Sequence, residues 1–275
     1  MGRVAAFRTA VYLFVVGDLV LFTPWVRAHG DLPGDAYHPL LVGRILPLPT
    51  PTATVVGVVF WTLLAAAAMA ATGRAPRLLG WTVLVLYFEW MVIAMSYGKV
   101  DHDRFAFLVA LAVLPTAGAA RHGDPVLTRP GGWALRVTQL AVVSTYFLAF
   151  WAKMRYAGPD WATGSVLARA ILRRGTDLAD AIAPVPGLLV AAQVSILAFE
   201  FLSPVVFVLR GRTRYLVVGF FYLFHAMTIV TITISFLAHQ VAMASFLPLE
   251  RVRPLVWLAR RWPIPASGER SARPG

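Results

Sequence analysis

Apolar runs of roughly 20 residues recur along this chain, with short arginine-bearing turns between them. Wound as a helix, a run of that length crosses the hydrocarbon core of a bilayer. In lipid only helices and closed barrels satisfy every backbone N–H and C=O group. The runs are continuously apolar and do not alternate with polar residues, so they read as helices and not as barrel strands. Composition agrees, because 59% of the residues are hydrophobic and only 14% are charged. An ordinary globular chain carries about 25% charged residues, and a soluble domain of this size could not hide so much apolar surface. The expected fold class is all-α, a polytopic integral membrane protein of the plasma membrane.

Eight runs are legible, at 5–25, 52–71, 78–97, 105–120, 133–156, 187–209, 215–234 and 236–249. The last is at the lower limit for a span, so seven crossings form the alternative. Residues 31–52, rich in Pro and Gly, are expected not to cross. In the connection 158–186, the stretch SVLARAILRRGTDLADAI places apolar and charged residues at helical spacing. That pattern predicts one helix lying in the interface plane between the fifth and sixth spans. The first run contains Asp18 and no convincing cleavage site, which reads as a retained helix and not a signal peptide. Residues 1–250 are thus expected to form one transmembrane domain, followed by a basic cytoplasmic tail at 251–275.

The net charge is +12, yet nucleic acid is not the implied partner; the bilayer is. The arginines cluster in turns on one side of the predicted spans: Arg74 and Arg77, Arg121 and Arg129, then Arg210, Arg212 and Arg214. Asp31, Asp35, Asp101, Asp103, Asp160, Asp177 and Asp180 all fall on the other side. The positive-inside rule then places both termini in the cytoplasm and puts Lys153 and His102 on the outer face. No internal repeat is visible, and no interrupted helix is expected, which argues against a small-molecule permease.

Candidate chemistry is sparse. There is no cysteine, so thiolate metal sites and cysteine nucleophiles are excluded. No HExxH pair, phosphate loop or nucleophile elbow is present, and no metal site is expected. Three acids lie inside the runs, Asp18, Glu89 and Glu200, and His225 lies inside the seventh. Each costs about 2.5–3.5 kcal/mol at mid-span on insertion scales, so each either braces the bundle or lines a polar cavity. Of 25 basic residues only Lys99 and Lys153 are lysine. Lysine can give up its proton in an apolar pocket and arginine cannot. Lys153 therefore reads either as an interfacial anchor beside Trp151 and Tyr156 or as a base walled by them. His102, between Asp101 and Asp103, is a further candidate; His29 and His38 are weaker ones.

Four segments together resemble the HTTM family, membrane proteins related to the membrane part of vitamin K-dependent gamma-carboxylase. They are AAFRTAVYLFVVGDLV, DHDRFAFLVALAVLP, YFLAFWAKMRYAGPDWATGS, and FEFLSPVVFVLRGRTR followed by FYLFHAM. They stand in family order and span nearly the whole chain. Phe150 occupies the position of a family glycine, and Asp101 that of an asparagine. The resemblance implies Lys153 as the base that deprotonates a reduced quinone, of menaquinone or vitamin K type, with His102 supporting the same site. It also implies cofactor-binding roles for Trp151, Tyr156, Glu200 and His225. The alternative it leaves open is a non-catalytic accessory protein for maturation or export of a secreted peptide or a partner membrane protein.

Overall fold

The computed structural model describes residues 1–46 and 48–252. The tail expected at 251–275 lies almost wholly outside them. Within the described residues the chain is helical and contains no strand: α1 Gly2–Gly17, α2 Leu41–Ile45, α3 Ala53–Ala71, α4 Pro76–Met95, α5 Phe105–Val113, α6 Arg129–Tyr156, α7 Asp160–Thr163, α8 Val166–Arg174, α9 Asp177–Ile182, α10 Leu188–Leu202, α11 Gly211–Ile232 and α12 Leu237–Met243. Six helical segments are long and apolar enough to cross a membrane: Gly2–Phe22, α3, α4, α6, Leu188–Phe207 and α11.

The runs at 105–120 and 236–249 are shorter as helices than expected. Pro115 has no N–H to continue α5, which tightens into a 3-10 turn at Leu114–Ala117 and stops at Gly118. The helical stretch Phe105–Ala117 is about 20 Å long. Thr233 adopts a left-handed conformation (φ 54°) that ends α11. A non-helical segment then leads into α12 and its 3-10 turn Ala244–Phe246, about 15 Å in all. These are two short helices, each ending in a 3-10 turn. The non-helical segment before α12 is tolerable at membrane depth where it lines a cavity or packs against protein.

Contacts sort the ends of these segments onto two faces. At one end Met1 N donates to Asp124 O, Arg3 pairs with Glu250 at 2.7 Å, and Gln139 Nε2 donates to Ser245 O. Buried Arg8 donates to the carbonyls of Gly118 and Ala120 there, satisfying the end of the 3-10 turn. At the other end Arg104 meets Asp18, His38 N donates to Ser96 O, and Thr176 N donates to Thr231 O. The two ends of the described chain thus share one face.

The interior has two apolar clusters. One joins α1, α3, α4 and α5 through Phe7, Tyr12, Leu63, Tyr87, Trp90 and Phe107. The other joins α6, α10, α11 and α12 through Val142, Tyr146, Phe199, Phe221 and Phe246. The short helices form the seam, with Phe107 and Ala238 in the first cluster and Ala106 and Met243 in the second. The interfacial helix is two helices, α8 and α9, split at Gly175 and Thr176. Thr176 explains the break: its hydroxyl caps α9 by accepting from Ala179 N and donates to Val230 O.

Candidate functional site

Helical spacing places one polar stripe on each of three helices in the second half. On α6 it is Thr145, Tyr146, Ala149 and Lys153; on α10, Gln193, Ile196 and Glu200; on α11, Phe224, His225, Thr228 and Ile232. Residues at i, i+3, i+4 and i+7 share a face, so the three stripes converge on one cavity of about 280 Å³. Trp161, Val166, Leu167 and Ala170 roof it, and His102, Asp103, Ile234, Phe236 and His239 close its other side. The 3-10 turn His102–Arg104 before α5 and the non-helical segment before α12 thus both reach the cavity.

Lys153 Nζ lies 2.5 Å from Glu200 Oε1, with side chains 21% and 7% exposed. It also stands 5.0 Å from the Trp161 ring centre, within range of the ring's negative face. Buried Gln193 fixes that roof. Its amide donates to the carbonyls of Trp161, Ala162 and Gly164, and its oxygen accepts from Leu167 N. Farther along α6, Tyr146 Oη is 2.6 Å from His225 Nε2, and its ring packs edge-on against His239 at 4.9 Å. Glu200 Oε2, His225 Nδ1 and both ring nitrogens of His239 are buried without a hydrogen-bond partner among the described residues. Leaving such a group unpaired costs about 1–3 kcal/mol, and four such atoms line this cavity.

A second cavity, of about 410 Å³, touches the first through His102, Thr145, Ala149 and Lys153. Its remaining lining, Phe105, Leu148 and Ala152, lies on the outward surface of α5 and α6. Lys153 therefore lines both the chamber and an apolar opening on the flank of the bundle.

Four expected site residues are brought together: Lys153, His102, Glu200 and His225 all line the chamber. Glu200 meets Lys153 directly, and His225 meets Tyr146. Trp151 and Tyr156 are not part of it. They are 59% and 86% exposed, and the apolar walls come from Trp161, Ile196, Phe224 and Phe236 instead. Trp151 lies two residues from Lys153, roughly 200° around the helix, and Tyr156 is the last residue of α6, beyond the chamber. Phe150 packs on Phe201 and also lies outside it. Tyr146, Trp161, Gln193 and His239 were not expected. The i−7 relation of Tyr146 to Lys153 was a usable signal; His239 sits in a run too short to flag as a span.

Asp18 and Glu89 lie apart from the chamber. Asp18 Oδ1 accepts from Arg104 Nη1 at 2.7 Å and Oδ2 accepts from Tyr87 Oη at 2.9 Å. Arg104 also donates to Tyr87, and Trp90 Nε1 donates to Thr23 Oγ1. This network clamps the segment that carries His102 and Asp103. Burial pushes the Asp103 carboxyl above its ordinary value, and nearby Arg104 opposes that rise. Among the described residues no group of three or more His, Asp or Glu is arranged to hold a metal ion.

No family model, curated protein or solved structure gives a significant match to this chain.

Proposed function

We propose that this is a multi-pass membrane protein of HTTM type that acts on a quinol-class lipid, with Lys153 as the proton acceptor. The observation that carries the reading is the Lys153–Glu200 pair, set in an apolar chamber that opens towards the flank of the bundle. An anchoring lysine needs no carboxylate and no roof. A lysine that cycles its proton needs both a water-poor site and a second group to pass the proton to.

A reduced quinone head group fits these residues: flat apolar walls at Ile196, Phe224 and Phe236, and few polar atoms. Trp161, Phe224 and Phe236 would hold the ring, and Lys153 with His102 would face one oxygen. When bound, such a group supplies an acidic ring hydroxyl and two electrons. Lys153 takes the hydroxyl proton after its own has moved to Glu200 within the pair, a transfer that leaves the net charge of the pair unchanged. His102, on the 3-10 turn before α5, supports the same end of the chamber. Access from the bilayer, by way of Phe105 and Leu148, suits a substrate dissolved in lipid.

The test is consumption of a reduced short-chain naphthoquinone under air by the protein in nanodiscs. The wild type should exceed empty nanodiscs, and Lys153→Arg should not. Equal rates for wild type and empty nanodiscs would overturn the reading. Orientation is tested separately: a cysteine at Thr176 should react with an impermeant thiol reagent on intact cells, and one at Gly211 should not. That pattern places both termini in the cytoplasm and the chamber on the outer side of the plasma membrane; reversed labelling would overturn it.

A further inference from the structure

At the end of the bundle away from the chamber, two cations share an aromatic support. Arg136 lies over the Phe207 ring, 4.5 Å from its centre, and Arg214 over the Phe246 ring, 5.2 Å from its centre. The two rings pack 6.1 Å apart. One guanidinium from α6 and one from α11 are thus held side by side. Arg136 and Arg3 both lie close enough to Arg214 to repel its charge. Glu250 is taken by Arg3, and neither Arg136 nor Arg214 has an ion pair among the described residues. Arg214 Nη2 donates to Gln139 Oε1 at 3.2 Å, while its Nε is buried without a partner among those residues.

Local electrostatics deepen the imbalance. Arg210 is the N-cap of α11, and the first turn of that helix has no acid and no side-chain cap. A helix start is the positive end of its dipole, where anions are favoured and cations are not. The sequence beyond Val252 adds five arginines against one acid, which only raises the positive charge. The bias of arginine towards one side of a membrane accounts for charged turns. It does not account for two arginines drawn onto one aromatic surface, with Arg214 half-buried there.

We propose that Arg136 and Arg214 form a binding site for the phosphate of an anionic membrane lipid. Guanidinium groups match phosphate oxygens in charge and in planar fork geometry, and basic pockets between spans suit anionic headgroups. The neighbouring surface points to a lipid and not to free phosphate. Trp133, Arg136 and Leu140 share one face of α6, and both apolar members are exposed. Leu140 is one turn deeper than Arg136, and Trp133 one turn shallower, the level at which interfacial tryptophans sit. Val205 and Val208, on either side of Phe207 in the chain, are exposed as well. Acyl chains fit along this strip, whereas a free ion leaves it bare. The bound phosphate ties α6 to α11, and Gln139 extends the tie by donating to Ser245 O after α12. The inference is independent of the role given to Lys153.

The test titrates lipid into the full chain in detergent and reads bound lipid by native mass spectrometry. The probes are phosphatidylglycerol, phosphatidylcholine, whose phosphate carries its own cation, and inorganic phosphate. An arginine at an anionic headgroup contributes about fivefold, so the wild type should prefer phosphatidylglycerol to phosphatidylcholine by about 20-fold. Arg136→Gln should cut that preference about fivefold and leave the melting temperature in lipid-free detergent unchanged. Arg74→Gln, which removes an exposed arginine from another turn at the same end, should keep the preference. Arg214→Gln should behave as Arg136→Gln does; if it does not fold, Arg136→Glu is the second variant and should abolish the preference. Equal binding of the two lipids by the wild type, or equal losses in Arg136→Gln and Arg74→Gln, overturns the site. Displacement of phosphatidylglycerol by an equal concentration of inorganic phosphate overturns its assignment to a lipid.

Discussion

Two buried ion pairs divide this protein. Asp18–Arg104 sits in the first half of the bundle, with side chains 0% and 11% exposed. Lys153–Glu200 sits in the second. Both oxygens of Asp18 are occupied, and the network extends through Tyr87. Glu200 has one oxygen unpaired, and His225 Nδ1 and both ring nitrogens of His239 beyond it are unpaired as well. The first pair faces close-packed side chains, Tyr87 and Trp90 among them; the second faces a chamber. Each half also buries unpaired atoms, Glu89 and Arg104 Nε among those of the first, but both carboxylate oxygens of Asp18 are met, whereas one of Glu200 is not. A closed network braces structure, whereas an open one is built to meet something that arrives.

The comparison can be broken by exchanging the roles of the two pairs. Asp18→Ala leaves buried Arg104 with only Asp103, 3.8 Å from its Nε, as counter-charge, and breaking a buried pair costs up to about 3–5 kcal/mol. A thermal melt in detergent should show that loss, while Glu200→Gln should lose far less stability and all function. If Glu200→Gln unfolds the protein and Asp18→Ala does not, the assignment is reversed.

A smaller effect sharpens the account of the open half. Tyr146 and His225 touch, so Tyr146→Phe and His225→Ala should be non-additive by about 0.5–3 kcal/mol in a stability cycle. Glu200 and His225 share the chamber without direct contact, and their cycle should be closer to additive. Strong Glu200–His225 coupling with none between Tyr146 and His225 would contradict the arrangement.

The smallest effect is at the end of the bundle away from the chamber. The hydrogen bond from Arg3 holds the Glu250 carboxyl below its ordinary 4.5. A depressed carboxylate contributes stability above its unfolded value and loses it as pH falls through the folded one. Both side chains are about a third exposed, so the contribution is about 0–1 kcal/mol. Glu250→Gln should remove that small acid-side slope from the melting temperature and leave the rest of the profile unchanged. An unchanged slope would show that the pair contributes nothing measurable.

Much of the fold was legible because lipid leaves few choices. Run length located all six helices of spanning length and both short ones. It did not reveal that 105–120 and 236–249 fall short, because Pro115 tightens the end of α5 and α12 ends in the 3-10 turn Ala244–Phe246, for local reasons that hydropathy ignores. Position in sequence put Lys153 and His102 on one face, and the family resemblance added Glu200 and His225; all four line the chamber. It misassigned Trp151 and Tyr156, because nearness along a helix is not nearness around it. His239 and Gln193 escaped because their importance lies in contacts between helices distant in sequence. The pairing of Lys153 with Glu200, 47 residues away, had no local signature at all.

The central claim is that Lys153 moves a proton and does not merely anchor a helix end. Lys153→Arg separates the two, because arginine snorkels and pairs with a carboxylate as well as lysine does, yet keeps its proton at any working pH. The measurement is complementation of a deletion strain by the variant, alongside its melting temperature and membrane yield. The account predicts a folded, inserted protein that restores nothing, with Lys99→Arg indistinguishable from wild type. A Lys153→Arg protein that complements fully would contradict it.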